Sequence, residues 1–275
     1  MRPTLVIFGN CQAEAFRETL KGHVGMNSVY DIVCVRSYML SDADEAALLT
    51  DDVRNRCELL IEQSTPARNV SGRYDFPNAR ICRFPALDIN LIWPLRADDP
   101  RSRPEPPDFP FGRYPYGDRI INQVVADGLS GEAGWQAFQQ RTDAALPDIA
   151  RLARVERKRW EYAERDLDVR MSDVIFPHFV TKRLFWTYNH PHRTVLCRLG
   201  ARILLASGWA PDEETGYKTM ERLLTWDFGA DYQAPVHPEV AASLGLEWWS
   251  PNMTFRRFAD EFQYEEFVRR QIDWV

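Results

Sequence analysis

Leu5-Val6-Ile7-Phe8-Gly9-Asn10-Cys11-Gln12 is an apolar run that ends at a glycine and turns polar. It reads as a buried strand, and Ala13, Phe16 and Leu20 follow at helical spacing, so this stretch is a strand, a tight turn and a helix. The same grammar recurs downstream. Residues 32–35 read as a second strand, after which residues 42–49 make a short helix with Ser41 as its cap. Residues 59–61 and 81–84 supply a third and a fourth strand. Strands alternating with helices predict an α/β fold, a mostly parallel sheet with flanking helices joined by right-handed crossovers. Cys34, Cys57 and Cys82 lie in or beside these strands and read as small buried hydrophobes.

Beyond the fourth strand the pattern changes. Residues 94–117 carry Pro100, Pro104, Pro106, Pro107 and Pro110 with little periodicity, which predicts a long extended loop. Its aromatic end, from Phe109 to Tyr116, either floors a cleft or packs the loop onto the domain. A helical insertion over about residues 118–170 follows, with helices expected at 132–142 and 147–166 and Pro147 in a first-turn position. The run Arg151, Arg154, Arg157, Lys158 and Arg159 alternates with Glu156, Glu161 and Glu164, which favours a solvated face over an anion site. A second α/β passage has a strand at 184–188, a turn Asn189-His190-Pro191 with Pro191 in the first helical position, and a helix whose stripe is Val195, Leu196, Leu199, Ile203 and Leu204. Phe255, Phe258, Phe262 and Phe267 recur at helical spacings and predict a terminal helix on the core. The whole reads as a single α/β domain over residues 1–275 with a C-terminal helical segment.

Composition narrows the function. The chain has 275 residues, 45% hydrophobic and 27% charged, in the globular range. Its 34 Lys+Arg against 40 Asp+Glu leave a net charge of -6, which argues against non-specific binding to nucleic acid or anionic membranes. Five cysteines without a C-x-x-C pair fit a reduced, cytoplasmic compartment. The run at residues 5–8 is too short for a signal-peptide core, and no apolar stretch approaches the ~20 residues of a membrane span. No histidine pair has zinc-ligand spacing, so no metal is expected, and nothing indicates the oligomeric state.

In an open parallel sheet, sites form beyond the carboxyl ends of the strands, so two turns stand out. In the first, Gly9 permits the turn and Cys11 starts a helix, whose positive end is expected to lower the thiol pKa and to offer N–H groups to an oxyanion. Asn10 and Gln12 add side-chain donors. A small buried cysteine with a polar cap is the structural alternative. In the second turn, His190 is expected at a helix N-terminus, where the dipole keeps the imidazole neutral and able to accept a proton, with Asn189 either to orient it or to donate to a substrate. A capping histidine is the alternative there. His178, His192 and His237 read as structural or solvent-facing.

Four motifs, in this order over most of the chain, carry a resemblance: Gly9-Asn10-Cys11-Gln12, Tyr114-Pro115-Tyr116-Gly117-Asp118, Asn189-His190-Pro191, and His237-Pro238-Glu239-Val240-Ala241 with Leu244-Gly245-Leu246. Together they resemble the WcbI-type polysaccharide-biosynthesis acetyltransferase family. The resemblance implies a CoA-binding α/β protein, distantly like the SGNH hydrolases, that acetylates a sugar hydroxyl during capsule or surface-polysaccharide assembly. Its partners would be acetyl-CoA and a sugar or polysaccharide acceptor. Carried onto this chain, Cys11 and Gln12 would be turn residues of the site and His190 its base.

Two routes fit these residue types. Cys11 could take the acetyl group from CoA and pass it to the sugar, or His190 could deprotonate the hydroxyl for direct attack while Cys11 only shapes the oxyanion hole. CoA phosphates need a local basic cluster or a helix N-terminus, and Lys182, Arg183 and Arg193 flank the second turn as the nearest candidates, with a plain surface cation as the alternative for each. Trp186 and Tyr188 could stack on adenine or a sugar, or pack as core. Two other classes stay open: a Cys/His acyl-ester hydrolase, and a non-catalytic glycan- or nucleotide-binding protein.

Overall fold

A computed structural model describes residues 1–65 and 69–274. The chain opens with β1 (Thr4–Gly9), α1 (Cys11–Leu20), α2 (Val24–Val29), β2 (Asp31–Arg36), α3 (Asp42–Leu48), α4 (Asp51–Asn55), β3 (Cys57–Ser64) and β4 (Arg80–Pro85). Two short strands follow, β5 (Arg96–Ala97) and β6 (Gly117–Asp118), then α5 (Arg119–Ala126), α6 (Gly131–Ala145), α7 (Ile149–Ala163) and α8 (Ser172–Ile175). The remainder is β7 (Phe185–Thr187), β8 (His190–Pro191), α9 (Arg193–Ala206), α10 (Glu213–Leu223), α11 (Pro238–Leu244), β9 (Thr254–Arg257), β10 (Asp260–Gln263) and α12 (Tyr264–Asp273).

These elements form two compact units. The first takes Met1–Leu87, Arg159–Pro177 and His190–Phe228, and the second takes Asp88–Lys158, His178–Asn189 and Gly229–Val275.

The first unit is built on a parallel four-stranded sheet in the order β2-β1-β3-β4. Every residue of β1 is buried, as its unbroken apolar run requires of a strand covered on both faces. Helix α1 lies on β1 and β2, and α9, which pairs with α10, packs near β4. Val6 and Phe8 join Val35, Leu60, Leu49, Val70 and Phe76 in one apolar cluster. Because β2 and β3 lie on opposite sides of β1, the connections reverse direction there, and this reversal opens a crevice at the carboxyl ends of β1 and β3. Ser41 caps α3 with a reciprocal capping box through Asp44, so the cap expected at this position forms.

In the second unit, α5, α6 and α12 pack around Leu95, Ile120, Ile121, Val124, Trp135, Phe138, Val268 and Ile272. The proline-rich loop is anchored by its aromatic end. Tyr114 is buried, with its ring 6.1 Å from Phe267 and 5.2 Å from Trp274. Arg101 bonds the carbonyls of Gln271 (2.9 Å) and Trp274 (2.6 Å) while paired with buried Asp99.

Three local expectations are corrected. Phe255 and Phe262 do not share a helix: they sit opposite one another in the β9–β10 hairpin, whose turn places Phe258 at φ 57, and only Phe267 is helical. Seven residues separate Phe255 and Phe262 in either arrangement, so the spacing could not discriminate. Pro147 precedes α7 rather than opening it; Asp148 accepts the Arg151 N–H at the helix start instead. Pro191 is extended, and α9 begins two residues later.

Candidate active site

The exit from β1 is held by a network of buried amides. Asn10 caps α1, its Oδ1 accepting the Gln12 N–H at 2.9 Å. Gln63, at the end of β3, accepts the Asn10 N–H at 2.7 Å and donates to Gln12 Oε1 at 3.0 Å. Gln12 Oε1 also accepts the Leu87 N–H at 2.9 Å, and its Nε2 donates to the Leu87 carbonyl at 2.7 Å. Gln12 and Gln63 are both 0% exposed, so these bonds are made away from water, where leaving a partner unmade is costly. Gly9 makes the approach possible, since a Cβ there would lie 2.6 Å from the Gln63 Cβ and 2.8 Å from the Ala13 Cβ. The Gln12 side chain is therefore a clamp between the ends of three strands, and the Asn10 side chain acts as a cap.

Cys11 is the first residue of α1 and is partly exposed. Burial pushes its thiol up to about 12 and the Glu14 carboxylate adds to the rise, outweighing the backbone N–H groups of Cys11 and Gln12, which favour the thiolate. The expected lowering of this pKa is thus overturned, because burial depth competes with the helix dipole.

Three groups that the sequence reading passed over also frame Cys11. Glu14 accepts from the Tyr38 hydroxyl at 2.6 Å and pairs with Arg36 at 3.1 Å. Burial and the Glu14 carboxylate raise the Tyr38 phenol, which also feels Cys11. Arg36 is the register partner of Gly9, and the Ser37 N–H donates to the Gly9 carbonyl at 2.9 Å, so parallel pairing delivers this cluster. The available signal was the strand order: the end of β2 must lie beside the end of β1.

His190 belongs to the same unit as Cys11, within β8, and is partly exposed. It is not at the helix start. His192 caps α9, its Nδ1 accepting the Thr194 N–H at 3.2 Å, with Asp227 at 3.9 Å from its Nε2. His190 instead stands edge-on to Phe228 with centroids 4.9 Å apart, and Phe228 meets Trp226, which is 39% exposed, at 5.7 Å. The imidazole is therefore joined to an aromatic pair that reaches solvent.

The basic residues named from the sequence have separate roles. Arg193 holds the end of α10 through the carbonyls of Leu224 and Glu221. In the second unit, Arg183 is packed among the rings of Trp186, Trp248 and Phe255 and donates to Gln233 at 2.9 Å; burial lowers its guanidinium to about 10. Lys182 is exposed and makes no ion pair among the described residues. Asn189, also in the second unit, accepts from the Thr187 hydroxyl at 3.1 Å. Among the described residues no group of three or more His, Cys, Asp or Glu could hold a metal ion, and no helix is long and apolar enough to cross a membrane.

Sheet order and site together define an α/β protein with a cysteine at a helix start in the crevice of a parallel sheet. The family profile described as "Polysaccharide biosynthesis enzyme WcbI" matches residues 4–212, and the chain belongs to that family. The solved structure of WcbI, described as a polysaccharide biosynthesis enzyme in its native form without a disulfide bond between CoA and one of its cysteines, shares the fold. Its TM-score is 0.72 at 17% sequence identity, over 100% of this chain and 90% of that one. No curated protein matches the chain by sequence.

Proposed function

We propose that this chain is a CoA-dependent O-acetyltransferase that acts on a sugar hydroxyl in capsular or surface-polysaccharide biosynthesis. The observation that carries the reading is the Cys11 sulfur set against the first amides of α1 at the carboxyl end of a buried central strand. The description of WcbI supports it by naming a bond, absent there, between CoA and a cysteine, since such a bond requires the two sulfurs to meet. On this reading the CoA thioester lies beside Cys11. Five free thiols and a CoA donor suit the cytoplasm.

A thiol near 12 is protonated at neutral pH, which favours direct transfer over an acetyl-cysteine intermediate. The sugar oxygen attacks the thioester carbonyl as His190 takes the hydroxyl proton. The oxyanion is stabilised by the positive end of α1, the carbon–sulfur bond breaks, and CoA leaves as the thiol with the proton from His190. Cys11 acts through contact with the CoA sulfur.

The test begins with CoA itself, which should raise the melting temperature, because a ligand of the folded state alone stabilises it. With acetyl-CoA and a sugar acceptor, His190→Ala should lose ~10² to 10⁴ in rate, the range for general-base help, while Cys11→Ala loses less. Intact mass after acetyl-CoA alone should show no added acetyl group. An acetylated Cys11 would restore the covalent route, release of CoA with water as the only acceptor would make the protein a hydrolase, and no stabilisation by CoA would overturn the reading.

A further inference from the structure

Two motifs take no part in the transfer chemistry, Tyr114-Pro115-Tyr116-Gly117-Asp118 and His237-Pro238-Glu239-Val240-Ala241, and the second unit brings them to one cavity. Tyr116, Gly117, Asp118, His237 and Val240 all line it. Gly117 lets β6 close on β5, since a Cβ there would meet the Ala97 carbonyl at 2.8 Å and the Asp99 N–H at 2.9 Å. The space open to the centre of a water molecule is about 60 Å³, room for about four to six waters.

Its walls are aromatic. Trp93, Tyr188 and Tyr264 stand with Tyr116, and the Tyr116 and Tyr188 rings meet at 5.7 Å. Trp93 is fixed by its indole N–H, which donates to the carbonyls of Ala234 and Pro235. The polar groups are half-engaged. Asp118 Oδ1 accepts the N–H groups of Ile120 (2.6 Å) and Ile121 (3.3 Å), and Oδ2 takes no partner among the described residues. His237 Nδ1 accepts the Glu239 N–H at 3.1 Å, which leaves the proton of the neutral ring on Nε2 as a donor. The Arg96 guanidinium lies 3.7 Å over the Tyr188 ring with Nε on Asn90, and its two terminal nitrogens are unengaged among the described residues. The Tyr264 hydroxyl has no hydrogen-bond partner among them either.

We infer that this cavity is a subsite for one neutral sugar ring of the glycan substrate. A carboxylate oxygen beside N–H and O–H donors matches vicinal hydroxyls, each of which donates once and accepts as well, while aromatic faces receive the C–H face of the ring. An apolar ligand would strand all four polar groups, an anion would meet Asp118, and a cation would meet Arg96. The inference deepens the acetyltransferase reading and rests on it for the identity of the glycan as substrate.

Saturation-transfer NMR with the methyl glycosides of glucose, galactose and mannose and with N-acetylglucosamine tests it on the full chain. At least one should bind, and Asp118→Asn and Tyr264→Phe should each weaken it tenfold or more. Asp118→Asn keeps the cap, because an asparagine amide oxygen accepts from the same N–H groups, and Tyr264→Phe keeps the ring. Unchanged circular dichroism and an unchanged CoA-induced melting shift in both variants separate lost recognition from lost folding. No binding by the wild-type protein, or equal binding by both variants, overturns the subsite. Sugar binding without any effect of CoA would leave the subsite and remove the transferase; CoA stabilisation without sugar binding would do the reverse.

Discussion

The turn at Cys11 and the cavity at Asp118 are both built from polar side chains beside helix starts, yet they differ in how many hydrogen bonds the protein keeps for itself. At the turn, Gln12 and Gln63 are wholly buried and bonded to each other, to the Asn10 N–H and to the Leu87 backbone. In the cavity, Asp118, Tyr264 and Arg96 keep polar atoms unengaged among the described residues. Buried and satisfied groups hold a backbone in place; groups left partly unsatisfied beside an opening offer themselves to a ligand. The turn is thus a frame around one thiol, and the cavity is a recognition surface.

That thiol carries the largest expected effect. With its thiol pushed up from 9.0 to about 12, Cys11 should alkylate with iodoacetamide about a thousandfold more slowly at pH 7.5 than an ordinary cysteine, since each unit is a factor of ten. Peptide mapping by mass spectrometry reads this at Cys11 alone. The rate should still be climbing at pH 10, where an ordinary thiol has levelled. Rapid labelling that levels near pH 7 would show the helix amides prevailing over burial and would reinstate the thiolate.

Next in size is the frame itself. Gln12→Ala leaves the Leu87 N–H and carbonyl and the Gln63 amide without partners in a dry place, and at ~1 to 3 kcal/mol for each buried unsatisfied group the loss should reach ~3 kcal/mol or more by urea unfolding. Tyr264→Phe, in the cavity, removes a hydroxyl with no hydrogen-bond partner among the described residues and should stay within ~1 kcal/mol. Equal costs for the two would erase the distinction between frame and recognition surface.

The frame also marks where sequence reading succeeds and where it stops. The central strands β1 and β3 are buried along most of their length and read as apolar runs, and the edge strands β2 and β4 carry shorter ones, so all four and the turn after β1 were legible, as was the cap at Ser41. Gln63 was not: it lies two residues beyond the apolar stretch at 59–61, and its meaning depends on β3 pairing with β1. Arg36 and Tyr38 gain their place beside Glu14 in the same way, from strand order. The sign of the Cys11 shift needed a depth of burial that no local pattern encodes. At His190 the turn was legible but its end was not, because His192 competes for the cap and wins it. The phenylalanines of the last segment fit two periodicities, and cross-strand pairing decided between them.

Asp118 supplies a smaller effect with a definite sign. Burial raises its carboxyl from 3.8 to about 6, so the folded chain holds a proton that the unfolded chain has released. The stabilising contribution is fully present below pH 3.8 and is lost as pH rises through 6. Asp118→Asn does not titrate, so its stability relative to the wild type should improve between pH 4 and pH 7. Discounted for partial exposure, the gain is about 1 to 2 kcal/mol. Thermal or urea unfolding at both pH values measures the difference. A variant that instead loses stability relative to the wild type as pH rises would place the carboxyl among stabilising partners and remove the contrast with the turn.

The smallest effects separate two cations that the sequence treats alike. Arg193 ties two carbonyls at the end of α10, so Arg193→Ala should cost about 1 kcal/mol of stability, the scale of a lost hydrogen-bonded terminus, and leave the CoA titration where it was. Lys182 is exposed and makes no ion pair among the described residues, so Lys182→Ala should leave stability within ~0.5 kcal/mol. If its charge meets a CoA phosphate, the same change should weaken CoA by about 1 kcal/mol or more, a fivefold rise in Kd by calorimetry. Unfolding curves and CoA titrations of the two variants therefore form a crossed pair, one change in each row. A variant of Arg193 that folds as well as the wild type but binds CoA poorly would show its guanidinium leaving α10 for the ligand, and would add a group to the recognition side that the structure assigns to the frame.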